Sequence, residues 1–373
     1  MNDLQKRSWA EISLENIRHN YRAIRASLAE GCRFLGVVKA DAYGHGALPV
    51  SRLLEEEGAD YLAVSCLDEA LELREGGIKM PILILGHTPV EYTETLIENS
   101  ITQTVTCLAK ALEYSEAASK LGKELKTHIK LDTGMSRLGF LCEGSYFEEG
   151  IENLVRSCSL PALKHEGIYT HFAVSDEEGE ENREYTLAQF ELYKRVVDTL
   201  HDRGIDFGLC HCANSGATVN YPQMHLDMVR PGLLLYGYGD GGRLNLKPCM
   251  RLVTTISTIK FYEPGTSVSY GRRFVTESRT RMGVLSIGYA DGLPRLISNK
   301  CSFAVKGGFA PQRGSICMDM CMVELTGLPE ADVGSEVELF GERNSIYTLS
   351  DAAQTIPYEL LCAVSKRVPR VYR

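Results

Sequence analysis

An α/β fold, a (β/α)8 TIM barrel followed by a mostly-β C-terminal domain, is the fold class that this 373-residue sequence predicts. Eight short apolar runs alternate with helical patterns up to about residue 247, which is the rhythm of a parallel barrel. The rhythm changes near Pro248, after which short β-rich runs are separated by Gly and Pro. Polar side chains also follow several of the eight runs, where barrels carry their reactive groups. A doubly wound parallel sheet is the alternative for the first domain.

The first domain begins with a helix signal after Ser13, a suitable N-cap followed by apolar residues at spacings of three and four. Apolar and β-branched runs then predict strands at Phe34–Val38, Tyr61–Ser65, Ile82–Leu85, Thr104–Thr106, Thr127–Leu131, Gly167–Thr170, Phe207–Cys212 and Met228–Val229. Helical periodicity between them predicts helices at Leu48–Glu57, Leu67–Glu75, Pro89–Asn99, Leu108–Leu121, Phe147–Ser157 and Tyr185–Arg203.

The second domain is predicted from β propensity and frequent turn residues, with a helical segment, Leu349–Cys362, near its end. Its strands are predicted at Leu252–Tyr262, Met282–Ile287, Cys301–Val305, Met320–Leu325 and Glu336–Phe340. The expected division is therefore an N-terminal segment of residues 1–10 that packs with the C-terminal domain, a barrel of residues 11–247 and a β-rich domain of residues 248–373.

The composition argues against several classes of partner. The formal net charge of −9 does not favour a nucleic-acid partner, and no apolar run is long enough to span a membrane. The first ten residues lack the apolar core of a secretory signal, so a cytoplasmic protein with reduced cysteines is expected. The triplet Cys210-His211-Cys212 does not favour a metal site, because a strand places its sulfurs and its imidazole on opposite faces and no second ligand pair follows.

Reactive residue types recur at the carboxyl ends of the predicted barrel strands. In chain order they are Lys39 and Tyr43, Lys130 and Arg137, His171, Asn214 and Ser215, and Arg230. Each one alone has an ordinary structural explanation, such as a helix cap, a core histidine or a surface ion pair. Their recurrence in step with the barrel rhythm favours a shared site.

Three of these features together suggest pyridoxal 5'-phosphate as a cofactor. A buried lysine loses its charge readily, and the neutral amine of Lys39 can form a Schiff base with an aldehyde. Backbone N–H groups near Ser215 and Gly232 suit the phosphate, and Arg230 can face the ring nitrogen.

A series of short segments carries a resemblance through both domains: Trp9–Ile12, Val38–Gly46, Lys130–Met135, Arg137–Gly139, Tyr169–Phe172, Ala213–Ser215, Arg230–Gly232, Ser269–Arg272, Ile287–Gly292, Cys317–Asp319 and Ile356–Glu359. In this order they resemble the bacterial alanine racemases, which are pyridoxal-phosphate enzymes of the barrel type. The resemblance covers essentially the whole chain. It implies interconversion of L-alanine and D-alanine, with D-alanine supplied to peptidoglycan.

The resemblance also implies two acid–base residues. Lys39 holds the cofactor and is one base, and Tyr270 is the other, reaching the barrel of the partner subunit in a head-to-tail homodimer. Two bases on opposite faces of the substrate are what racemisation requires. In such enzymes the lysine takes the proton from the D-enantiomer and the tyrosine takes it from the L-enantiomer.

The remaining implied roles surround these two bases. His171 and Arg230 match residues hydrogen-bonded to the tyrosine, Arg137 and Met318 match the substrate-carboxylate site, and Lys130 matches a lysine that is carbamylated in many relatives. The residues that match the cofactor-binding set, beyond Lys39, are Tyr43, His171, Asn214, Ser215, Arg230, Gly232 and Tyr358. Those that match the substrate access corridor are Tyr289, Arg295 and Ser315, the last standing where many relatives carry a basic residue.

Other activities remain open on the same residues. The bulk of Tyr358 favours alanine over a serine or broad-specificity racemase, which is the main alternative. A non-catalytic pyridoxal-phosphate carrier would have a lone barrel, and a decarboxylase relative would lack the racemase-like segments around Tyr270, Met318 and Tyr358.

Overall fold

The computed structural model describes residues 7–373 and divides the chain into two compact units. The barrel unit comprises Arg18–Ala42 and Ala47–Lys247. The C-terminal unit comprises the residues up to Ile17, the short segment Tyr43–Gly46 and the stretch Pro248–Arg373.

The parallel sheet of the barrel unit has nine strands, of which Phe140–Leu141 lies off the main path and pairs with Leu125–Asp132, and the other eight form the predicted barrel. Their order around the sheet is Met228–Val229, Arg33–Val37, Tyr61–Val64, Ile82–Ile84, Ile101–Val105, Leu125–Asp132, Leu163–Tyr169 and Leu209–His211. The residues that flank the first strand also donate backbone hydrogen bonds to the last strand and its extension, from Asp227 N to Cys210 O at 3.1 Å and from Arg230 N to Ala213 O at 2.9 Å. The sheet is thus nearly closed, and the prediction of a barrel is confirmed.

Several barrel strands, such as Tyr61–Val64 and Ile82–Ile84, are buried along their whole length, which explains why they read as continuous apolar runs. The strand Ile101–Val105 is also buried along its whole length, although three consecutive residues in it are polar. The Thr104 hydroxyl donates to Ile84 O at 2.6 Å and lies 2.9 Å from the Tyr169 hydroxyl. These internal hydrogen bonds offset the cost of burying polar groups.

The helices up to residue 247 follow the predicted periodicity, and the Ser13 hydroxyl accepts a hydrogen bond from Asn16 N at 3.1 Å, as an N-cap does. Their bounds are Leu14–Ser27, Ala47–Glu56, Leu67–Glu75, Thr93–Glu98, Leu108–Lys120, Phe147–Cys158, Glu180–Asp202 and Ser215–Asn220.

The C-terminal unit is built on an eight-stranded, mostly antiparallel sheet. Its order is Thr280–Leu285, Cys321–Glu324, Gly308–Arg313, Ser302–Val305, Glu336–Phe340, Met250–Tyr262, Ser8–Ile12 and Arg370–Tyr372. The long strand Met250–Tyr262 also pairs with Thr280–Leu285, so its two halves belong to different pairings with a register shift near Ile256. The prediction of a mostly-β second domain is confirmed.

The helical segment near the end of the C-terminal unit differs from the predicted pattern. The chain near residue 350 forms two helices, Ile346–Ala353 and Pro357–Ala363, rather than one segment over Leu349–Cys362. Gln354 ends the first helix in a left-handed conformation with φ of 55°, and Pro357 begins the second, where its missing N–H costs nothing.

No helix among residues 7–373 is long and apolar enough to cross a membrane.

Candidate active site

Lys39 stands directly after the first predicted barrel strand, at the start of an unusual turn. The four residues after it, Ala40 to Tyr43, all have φ between 52° and 54°, which is a left-handed conformation. The turn is closed by a hydrogen bond from Ala42 N to Val38 O at 2.9 Å. The sequence predicted a small-residue turn here but gave no sign of its handedness.

Arg230 is fully buried in the barrel unit and connects several strand ends. Its Nη2 donates to Thr170 O at 2.8 Å and to Cys212 O at 3.0 Å, and it lies 3.3 Å from His171 Nδ1. Its Nη1 lies 3.0 Å from His211 Nδ1. Burial lowers the pKa of Arg230, yet an arginine remains a cation and a donor in proteins.

The contacts of Arg230 determine the protonation of two buried histidines. Because the guanidinium can only donate, Nδ1 of His211 must accept, and the neutral ring then carries its proton on Nε2. That Nε2 lies 2.9 Å from Nδ1 of His128 and donates to it. Burial and the charge of Arg230 hold the pKa of His211 well below its ordinary value and lower that of His128 to about 3, so both rings stay neutral.

Four cationic side chains surround His171 at the same end of the barrel. Burial lowers the pKa of His171 most, followed by the charges of Arg230, Lys130, Arg137 and Lys39. The concentration of positive charge around one neutral imidazole is suited to a small molecule that carries several negative charges.

Lys130 lies in this cluster with its amine buried in the barrel. Burial and the charges of Arg137, Arg230 and Lys39 together lower its pKa to about 8, while the charge of Asp132 opposes them. A substantial fraction of the amine is therefore neutral near physiological pH.

Arg137 is placed by a loop that Asp132 organises. The Asp132 carboxylate accepts hydrogen bonds from the backbone N–H groups of Gly134, Ser136 and Arg137 at 3.1, 2.9 and 3.1 Å. Arg137 is exposed, so its guanidinium is accessible to a ligand.

The predicted phosphate loops contact each other. The Ser215 hydroxyl accepts a hydrogen bond from Gly232 N at 2.9 Å and keeps its own proton free to donate. Asn214 acts as the N-cap of the following helix, with its side-chain oxygen accepting from Ala217 N at 2.9 Å. Asn214 also accepts from the Ser175 hydroxyl at 2.7 Å, so its side chain is occupied in holding this turn.

Tyr270 lies in the C-terminal unit and is 70% exposed. It follows Ser269, a non-glycine residue with φ of 66°, and its carbonyl accepts from the Ser315 hydroxyl at 2.8 Å. The Ser269 hydroxyl donates in turn to Ser315 O at 2.6 Å. Ser315 is buried, and these two hydrogen bonds let it hold the Tyr270 turn from within the C-terminal unit.

A pocket of about 430 Å³ in the C-terminal unit is lined by Tyr270, Tyr289, Arg295 and Ile316. Two of the predicted corridor residues therefore lie in one pocket with the predicted second base. Met318 is 53% exposed on the neighbouring loop. Its loop is held by hydrogen bonds from Tyr289 N to Cys317 O and from Ala290 N to Met318 O, both at 3.0 Å.

Tyr43 and Tyr358 also lie together in the C-terminal unit, with ring centroids 5.7 Å apart. Burial raises the pKa of Tyr43 well above its ordinary value, so its hydroxyl stays protonated and can donate. The predicted site residues therefore fall into two groups, one in each compact unit.

Three further side chains belong to these groups and were not predicted. The sequence indicates His211 only within the disfavoured metal triplet and predicts no role for Glu69 or Asp291. Glu69 binds the backbone of Ala40 and Asp291 binds Arg367, both distant in sequence. The one signal for His211 was its place on a strand that ends in candidate residues.

Comparison with known proteins identifies the family. The sequence models "Alanine racemase, N-terminal domain" and "Alanine racemase, C-terminal domain" match residues 12–240 and 249–372. The chain is 44% identical to the alanine racemase of Clostridium perfringens strain SM101 over 374 residues, which cover 98% of this chain and 95% of the relative.

Solved structures give the same result. The alanine racemase of Clostridium difficile 630 matches with a TM-score of 0.93 and 40% identity, covering 100% of this chain and 97% of that one. A structure of that enzyme in complex with cycloserine matches with a TM-score of 0.90 and 40% identity, covering 99% of this chain and 96% of that one. Sequence and fold therefore agree over both units, and this chain belongs to the alanine racemase family.

Proposed function

We propose that this chain interconverts L-alanine and D-alanine with pyridoxal 5'-phosphate, using Lys39 and Tyr270 as its two bases. The observation that carries the proposal is the cationic end of the barrel, where Lys39, Lys130, Arg137 and Arg230 surround the neutral His171. The proposal draws further support from relatives that are named alanine racemase along their whole length.

The donor groups of the barrel unit suit this cofactor. Ser215 keeps a free hydroxyl proton beside the backbone of Gly232, where a phosphate would be held. Arg230 would meet the pyridine nitrogen and, since it only donates, would leave that nitrogen unprotonated. Its four contacts to Thr170, His171, His211 and Cys212 fix the direction of the guanidinium.

When bound, pyridoxal 5'-phosphate withdraws electrons from the α-carbon of an amino acid and so makes the α-proton more acidic. Lys39 would remove that proton from D-alanine and Tyr270 would remove it from L-alanine. In each direction the other base would deliver a proton to the opposite face, which inverts the α-carbon. Arg137 and the backbone of Met318 would hold the substrate carboxylate. Tyr358 would limit the space beyond the β-carbon and so favour alanine over serine.

The same proposal includes a homodimer whose two chains contribute to each site. Tyr270 is the second base, and it lies on an exposed surface that also carries large apolar residues. Exposed apolar side chains of this kind are characteristic of interfaces. Exposed large apolar residues on the loops that carry Tyr270 and the predicted corridor include Tyr289, Leu296, Met318 and Met320.

We also infer a cytoplasmic role in supplying D-alanine to peptidoglycan. The twelve cysteines are all free thiols, which agrees with a reducing compartment. No nucleic-acid or membrane partner is included in the proposal.

The test is to purify the chain, measure cofactor absorbance and follow L-alanine in heavy water. Because the enantiomers have equal free energies, we expect equal amounts of both at equilibrium, with deuterium at the α-carbon. Alanine that gains no deuterium would contradict racemisation. Comparison of the rates for alanine and serine decides between an alanine-specific and a broad-specificity enzyme.

A further inference from the structure

The turn that follows Lys39 is costly for the chain to adopt. Ala40, Asp41, Ala42 and Tyr43 have φ of 52°, 54°, 52° and 53°, and none is a glycine. In the left-handed conformation the Cβ of an L-residue crowds the following carbonyl, so such residues usually occur singly. A run of four must be held by its surroundings.

Two carboxylates of the barrel unit accept hydrogen bonds from backbone groups in and after this turn. Asp41, which lies within the turn, accepts through its carboxylate from Ala47 N at 2.7 Å, four residues beyond the turn. At its near end, beside Lys39, one oxygen of Glu69 accepts from Ala40 N at 2.6 Å. Hydrogen bonds to an ionised carboxylate are stronger than those between neutral groups.

Glu69 also binds the neighbouring strand. Its second oxygen accepts from Ser65 N at 2.7 Å, just beyond the strand Tyr61–Val64. The ladder between this strand and Arg33–Val37 ends with a hydrogen bond from Val38 N to Ala63 O at 2.9 Å. The Glu69 carboxylate therefore links the segments that follow these two strands, beyond the last hydrogen bond of their own pairing.

We propose that Glu69 is a positioning residue for Lys39. Both of its hydrogen bonds go to backbone N–H groups, and the one at Ala40 fixes the peptide that immediately follows the lysine. By holding the left-handed turn, Glu69 sets the direction from which the amine reaches the substrate. This inference rests on the proposed function, because Lys39 is a base only in that reaction.

Replacement of Glu69 by glutamine provides the test in the full-length enzyme. The amide keeps one acceptor oxygen but presents an NH2 group to the second backbone N–H, so one hydrogen bond is lost. We expect kcat to fall about tenfold while KM for alanine stays within about twofold, because the proton transfer depends on Lys39 and carboxylate binding does not. We also expect amide hydrogen exchange across residues 38–47 to become about tenfold faster.

The matched control is E72Q, on the same helix and with the same change of charge. Glu72 is exposed, so we expect its replacement to leave kcat and the exchange of residues 38–47 within about twofold of wild type. If E69Q does not fold, E69D offers the same comparison, because aspartate keeps the negative charge on a shorter side chain.

Two results would overturn the inference. One is exchange at residues 38–47 that remains within about twofold of wild type in the Glu69 variant. The other is faster exchange of equal size in every barrel strand, since that would indicate a general loss of stability. If the wild-type chain does not racemise alanine, the proposed function fails, whereas the exchange data still decide whether Glu69 holds the turn.

Discussion

Lys130 is a buried lysine whose lowered pKa changes the chemistry that its amine can perform. Burial, aided by Arg137 and Arg230, lowers its pKa to about 8, so the neutral amine is well populated at pH values where most lysines are charged. A neutral amine adds to carbon dioxide and releases a proton, giving an anionic carbamate. The neighbouring cations that disfavour the ammonium would stabilise that anion.

We therefore expect Lys130 to take up carbon dioxide. Because its pKa is depressed, the reactive amine increases as the pH rises through about 8, and uptake at fixed dissolved carbon dioxide should rise over the same window. A carbamate signal in carbon-13 NMR with labelled bicarbonate measures it. The signal should vanish in Lys130→Met and persist in Lys126→Met, an exposed lysine of the same strand; a signal that survives Lys130→Met would contradict the assignment.

Among the secondary-structure connections, the turn that carries Tyr289 is held by one buried carboxylate. Asp291 accepts from Gly288 N at 2.9 Å and from Arg7 and Arg367, each at 2.7 Å. Arg367 also donates to the Asp319 carboxylate at 2.8 Å. These contacts hold the Tyr289 turn and the Met318 loop together within the C-terminal unit.

Replacing Asp291 by asparagine should cost about 3 kcal/mol of unfolding free energy, at the low end for a buried pair because both arginines are partly exposed. Burial alone would raise the pKa of Asp291, but hydrogen bonds from Arg7 and Arg367 lower it. The stabilisation is therefore present above the ordinary aspartate pKa of about 3.9 and is lost as pH falls through the lower folded-state value.

Urea unfolding at neutral and acidic pH measures this difference. The gap between wild type and Asp291→Asn should narrow as the solution is acidified, and a gap that widens would refute the assignment. Asp319→Asn is the control, because it removes an exposed partner of the same arginine and should cost about 0.5 kcal/mol.

Among the helices, strands and turns, the sequence predicts those that are determined by residues within them or next to them. The barrel strands were predictable because buried parallel strands read as apolar runs. The N-cap role of Ser13 was predictable because Ser13 lies next to the helix that it caps. The hairpin strand Gly308–Arg313 was not predicted, since it begins with glycine and contains Pro311. The left-handed turn after Lys39 was not predictable either, because alanine and aspartate rarely adopt it and the group holding it, Glu69, lies on another element.

In the candidate site, too, the sequence predicts residues from local pattern but not those whose roles depend on distant contacts. Residues at strand ends, such as His171 and Arg230, could be selected because the barrel topology brings those ends together. Asp291 and His211 could not, because their roles depend on which distant arginines contact them. Local pattern thus indicates the reactive groups, while the residues that orient them emerge only from the fold.

For the molecule as a whole, the two proposed bases belong to different compact units. Lys39 is part of the barrel unit, and Tyr270 is an exposed residue of the C-terminal unit. In a head-to-tail dimer with twofold symmetry, one chain would supply the lysine and its partner the tyrosine of each site. A variant lacking one base would then have two incomplete sites, whichever base is missing.

Mixing Lys39→Ala with Tyr270→Ala should therefore restore activity. Random exchange makes about half of the dimers hybrid, and each hybrid has one complete site, so about one quarter of wild-type activity is expected. The measurement is the racemisation rate after equal mixing, with hybrid formation followed by mass tags on the two chains. Mixing Lys39→Ala with Lys39→Met should recover nothing, because no pairing supplies the lysine. Hybrids that form without recovering activity would mean that both bases come from the same chain.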